Sequence, residues 1–126
     1  MRAVSGYDKE GVEIATAPAS GDTVIYITVD DGEHFRGRTL YVTSAGETAF
    51  STLVVEGRIP GDVWLPVIAE RSQSIDKAPA GDPLVLTPGA TTLHVIGADY
   101  LSLRVTGTGG SFHGDPPTTL CAGLVL

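Results

Sequence analysis

The residues able to do chemistry are few and scattered. The chain has three histidines, one cysteine and one tryptophan. His34, His94 and His113 stand far apart, with no i, i+2 or i, i+4 pair among them, and protein metal sites usually contain such a short-range ligand pair. His34 therefore reads as a solvated turn residue, His113 as a solvated loop residue, and His94 as an outward-facing strand residue. Asp30, Asp31 and Glu33 gather around Gly32. A calcium loop needs carboxylates at alternating positions ending in a Glu, and Asp-Asp-Gly-Glu lacks that spacing, so these read as carboxylates of a turn. Gly107-Thr108-Gly109-Gly110-Ser111 is followed by neither Lys nor a helical pattern, so it is a flexible loop rather than a phosphate cradle. No Gly-x-Ser-x-Gly elbow is present. The expected inventory is empty: no catalytic residue, no cofactor and no metal.

Recognition is the remaining chemistry. Trp64 could form an aromatic platform, but Val63, Leu65, Val67 and Ile68 around it argue for the core. Cys121 lies in an apolar run and reads as a small buried hydrophobe. The candidate contact residues are those expected on loops: Phe35, Arg36, Arg38 and Phe112.

The elements that must position them are strands. Asp99–Gly107 alternates most clearly, with Leu101, Leu103 and Val105 on one side and Tyr100, Ser102, Arg104 and Thr106 on the other. The first set belongs on a core, the second on a wet or polar-covered face. Asp22–Asp30 is equally strong, with Ile25, Ile27 and Val29 opposite Val24, Tyr26 and Thr28. Asp31-Gly32 signals a tight turn, after which a return strand begins near Phe35 or the loop runs on through Arg38. Further strands are expected at 11–17, 39–43, 47–55, 62–70, 84–87, 91–96 and 119–126. Pro66 marks 62–70 as an edge or bulged strand. Residues 1–10 read as a loosely ordered arm, 71–83 as the longest mobile loop and 108–117 as an irregular one.

Sixteen Gly and eight Pro leave little room for helices, and no helical period is found. Roughly eight or nine short strands between turn signals belong to a β-sandwich, jelly roll or small barrel. The expectation is all-β: a single-domain antiparallel β-sandwich, jelly-roll-like, spanning 1–126. At 126 residues, with 42% hydrophobic and 18% charged, the chain can build a core without disulfides or metals. The net charge of −7 and the scattered basic residues argue against nucleic acid. The N-terminus has no apolar signal segment, and no stretch approaches the ~20 apolar residues that span a membrane.

Ala98-Asp99-Tyr100-Leu101-Ser102-Leu103-Arg104-Val105-Thr106-Gly107 resembles a strand recurrent in virion proteins of tailed bacteriophages, Ala-x-Tyr-Leu-x-Leu/Val-Arg-Val before a Gly/Thr/Ser-rich turn. Asp31-Gly32-Glu33-His34-Phe35 is similar to their Asp-Gly-x-x-Phe turn, and Val63-Trp64-Leu65-Pro66-Val67 to their Trp-led strand. The nearly continuous apolar run Leu120–Leu126 departs from their alternating last strand and suggests an end buried against something else. The resemblance implies a non-enzymatic virion protein, made in the host cytoplasm, that decorates or stabilises a capsid. Its implied partners are the major capsid protein or other virion proteins, in a symmetric homo-oligomer or multi-copy array. The alternatives are a carbohydrate-binding β-sandwich module or receptor-binding tail part, which needs Trp64 or Tyr100 exposed beside polar side chains, and a jelly-roll enzyme, which needs converging histidines.

Overall fold

The computed structural model describes residues 2–3, 12–29, 32–73 and 84–125. Ten strands form two antiparallel sheets packed face to face, and the described residues contain no helix. They are β1 (Arg2–Ala3), β2 (Val12–Thr16), β3 (Thr23–Thr28), β4 (Thr39–Ala45), β5 (Thr52–Ile59), β6 (Val63–Pro66), β7 (Ala69–Gln73), β8 (Thr91–Ile96), β9 (Ser102–Thr108) and β10 (Thr119–Val125). The front sheet has the order β1-β3-β9-β5-β6 and the back sheet β2-β10-β4-β8-β7. The expected β-sandwich is therefore present.

The period-2 pattern decides which side chains meet. From the front sheet, Ile25, Ile27, Leu53, Val55, Leu103 and Val105 point inward and are buried. From the back sheet, Leu40, Val42, Leu120, Ala122, Leu124 and Ile96 do the same. Two apolar faces about 10 Å apart leave no room for water between them, and each buried aliphatic side chain contributes roughly 1.5–3 kcal/mol. Phe35, Phe50, Val67 and Leu86, from the connections, complete this core.

Several expected boundaries move. No hairpin joins β3 to β4, because the two lie in different sheets, and β4 begins only after Arg38. The strand expected over 47–55 begins only at Thr52 and continues to Ile59, through the expected loop at 56–59. It can continue because Pro60, Gly61 and Asp62 make the turn into β6. Pro66 ends β6, an edge strand, so the missing donor breaks no ladder. Residues 84–87 do not form a strand; Leu84 N–H donates to the Val67 carbonyl at 2.9 Å. Leu101 precedes β9 and is exposed.

The loop after β9 is pinned rather than flexible. Gly107 still belongs to β9, and a Cβ there would lie 2.8 Å from the Phe50 ring. Ser111 and Thr118 exchange hydrogen bonds at 2.8 and 3.0 Å, and Thr118 Oγ1 donates to the Thr48 carbonyl. Arg2 and Ala3, expected in a loose arm, pair with Thr28 and Ile27. The rest of that arm, most of the expected loop at 71–83, and the carboxylates Asp30 and Asp31 lie outside the described residues.

Candidate binding face

The outer face of the front sheet is built by the residues that alternate with the core. Antiparallel pairing places directly opposed residues on one face, so three cross-strand rows form. Val24, Thr106 and Val54 make one; Tyr26, Arg104, Glu56 and Pro66 the next; Ser102, Arg58 and Trp64 the third. β3, β9 and the β5–β6 hairpin, three segments far apart in the chain, thus deliver two aromatics, two arginines and one glutamate to adjacent positions.

These side chains form a connected set. Arg104 Nε and Nη2 each lie 2.9 Å from Glu56 Oε1. The same guanidinium sits 4.2 Å above the centre of the Trp64 ring, within cation–π range. Tyr26 meets Trp64 edge-on at 6.3 Å and 62°. Arg58 Nε donates to Ser102 Oγ at 3.1 Å, while its Nη1 pairs with Asp62 at 3.1 Å. Ser102 is buried although it faces outward, because these longer side chains lie over it. Beside the set runs an open groove of about 400 Å³, lined by Val24, Val54 and Thr106 along its middle and by Asp22 and Thr108 at its far end. Tyr26, Glu56 and Arg104 form its near end. Aromatic edges, threonine hydroxyls and carboxylate acceptors along one groove suit recognition of a hydroxyl-rich ligand.

Trp64 is consequently not a core residue. It is half-buried on the outer face. The run Val63–Ile68 is apolar because the chain leaves the front sheet at Pro66 and crosses to the back one: Val67 and Ala69 are buried, while Val63 and Leu65 are exposed at the sheet edge. Tyr100 does not stand free on this face; it packs against the core, and its hydroxyl accepts from Ile68 N–H at 3.0 Å.

The sequence-derived contact residues do not converge. Phe35 is fully buried, so it is removed from any contact surface. Its loop is tied down by Gly37 N–H to the Ile96 carbonyl, Ile96 N–H to the Arg38 carbonyl and Arg36 N–H to Asp99 Oδ1, all at 2.9–3.0 Å, which drives the ring between the sheets. Arg36 is exposed, and Arg38 is partly covered in an ion pair with Glu33 at 2.9 Å. Phe112 is exposed and stacks edge-on with His113 at 5.3 Å. It precedes β10 and so lies near Ala45, whereas Arg36 and Arg38 precede Thr39 at the other end of β4.

His34 and His113 are exposed. His94 reverses expectation: it is buried, with Thr92 and Ile96, on the inner side of β8. Leu93 and Val95 take the outer side. Cys121 is only half-buried, on the outer side of β10 opposite Ile14 and Thr43. Among the described residues, no three His, Cys, Asp or Glu stand close enough to hold a metal ion.

The sequence already separates Tyr26 and Arg104 from the core by alternation; their meeting with Trp64 and Glu56 has no local signal. No protein-family model, curated protein or solved structure matches this chain.

Proposed function

We propose that the protein is a non-enzymatic carbohydrate-binding β-sandwich module, working through the outer face of its front sheet. The carrying observation is Trp64 on that face, edge-on to Tyr26 and held by Arg104 beside a groove of about 400 Å³. Stacking against apolar sugar faces and hydrogen bonding to hydroxyls call for this mixture of rings, hydroxyls and carboxylates. In the virion setting that the sequence resemblance implies, such a module is a receptor-binding part. The strand order supports the jelly-roll reading: β2-β10-β4-β8 face β3-β9-β5-β6, with successive strands β2 to β5 and β8 to β10 alternating between sheets. Titrating Trp64 fluorescence with an oligosaccharide panel tests the function. Saturable change, abolished by Tyr26→Ala, is the expected result; an unaltered spectrum across the panel overturns it.

A second reading, a capsid-decorating structural protein in contact with the major capsid protein or further copies of itself, draws on the opposite face. The described outward side chains of β2, β10, β4 and β8 include Ile14, Cys121, Val125, Tyr41, Leu93, Val95 and several threonines, and none is charged. In a chain of net charge −7 such a face can be buried without desolvating ions. Co-sedimentation with undecorated capsids, lost on placing an Asp at Leu93, is the expected outcome; a protein left in the supernatant removes this reading.

A further inference from the structure

We infer that the front-sheet groove selects neutral saccharides over acidic ones, an inference that rests on the carbohydrate-binding reading above. The argument is one of charge. The groove is bordered by two carboxylates, Asp22 and Glu56, and one guanidinium, Arg104. Arg104 is already committed: Nε and Nη2 both serve Glu56 Oε1, and the plane of the group rests over Trp64. The neighbouring arginine, Arg58, is committed as well, to Asp62 and Ser102. Both described arginine side chains of this face are therefore paired, and among the described residues that line the groove the carboxylates outnumber the cations.

A uronate, sialate or sulfate entering it would approach Asp22 and Glu56 with Arg104, already paired to Glu56, the one cation among the described residues that line the groove, in a molecule of net charge −7. A neutral sugar meets the opposite situation. Its hydroxyls donate to the two carboxylates, and ionised acceptors form the stronger hydrogen bonds. Thr106 and Thr108 add hydroxyls that donate or accept. Tyr26 at the near end, with Trp64 beyond it, supplies ring surface. From Asp22 to Tyr26 along β3 the groove runs about 13 Å, the scale of a short oligosaccharide rather than a single ring. The Arg104–Glu56 pair then acts as the charge filter: it withholds Arg104 from anions.

The test compares neutral trisaccharides in gluco, manno, galacto and N-acetylglucosamine configurations with trigalacturonate and sialyllactose. Trp64 fluorescence and amide chemical shifts are read on the intact chain at low salt. The expected result is saturable binding of at least one neutral trisaccharide, with the acidic ones at least tenfold weaker. Asp22→Asn weakens the neutral ligand several-fold with an unaltered amide spectrum elsewhere. Glu56→Gln narrows the neutral-to-acidic ratio, because it releases Arg104. If an acidic saccharide binds as tightly as the neutral ones, the charge argument is overturned while the carbohydrate reading stands. If neither class changes the spectra of the folded protein, both are overturned.

Discussion

The ring of Tyr100 lies directly on the backbone of Gly57, so closely that a β-carbon at position 57 would sit 2.2 Å from Cδ1. This contact explains a glycine in the middle of β5, where it costs strand stability. It also explains how the chain leaves β6. The Tyr100 hydroxyl accepts from Ile68 N–H just where the backbone crosses between the sheets. Gly57→Ala should therefore expel the ring and destabilise the fold by about 3 kcal/mol. In a Tyr100→Ala background the same change should cost far less, and a double-mutant cycle by urea denaturation reads the coupling directly. Tyr100→Phe leaves the Ile68 N–H without its partner and should cost about 1–2 kcal/mol.

Arg104 ties the binding face together, and its loss should be visible in both stability and light emission. Arg104→Ala removes a partly covered ion pair to Glu56 and the cation over Trp64. The expected cost is about 1–2 kcal/mol. The emission of the single tryptophan should shift to the red as water reaches the exposed ring face. A stability loss without any spectral change would mean that Arg104 does not cover Trp64 in solution.

Phe35 and Arg36 are neighbours in sequence with opposite expected sensitivities. Phe35 is fully buried, so Phe35→Ala should cost about 3–5 kcal/mol. Arg36 is exposed, and its side chain should be replaceable by Ala within roughly 0.5 kcal/mol. Thermal melts of the two variants separate an interior ring from a contact residue.

His94 gives the fold a pH dependence with a definite sign. Burial lowers its pKa from the ordinary 6.5, because the charged imidazolium loses solvation inside the sandwich. The unfolded chain takes up a proton near pH 6.5, whereas the folded chain waits for lower pH. Between those two values the unfolded state binds more protons, so stability rises with pH in that window. The contribution is fully present above pH 6.5 and is lost as the pH falls toward the folded value, with a slope of up to ~1.4 kcal/mol per pH unit. Urea midpoints from pH 8 down to 5 should fall for the native sequence and flatten in this range for His94→Gln. Parallel curves would show that the imidazole titrates normally.

Alternation of apolar and polar residues is a local property, and it is legible wherever one side of a ribbon is plainly the apolar one. Thr23–Thr28 and Leu103–Thr106 show their inner and outer sides in the sequence, and both are as the alternation places them. The all-β class follows from the same feature together with the glycines and prolines. At Thr91–Ile96 the alternation is just as regular, but both sides hold apolar residues. There the inner side is settled by where β8 lies in the back sheet, between β4 and β7 and facing the core, which turns Thr92, His94 and Ile96 inward and leaves Leu93 and Val95 outside. Phe35 and Trp64 exchange their expected places for a related reason: whether a ring in a connection is covered depends on what the connection is pinned to, and those partners lie far along the chain. The binding face is the furthest from local reading. Residues 26, 56, 64 and 104 become neighbours only because β3, β9, β5 and β6 pair in that order, and strand order is decided by long-range hydrogen bonding and the closing of one core, which no single segment encodes.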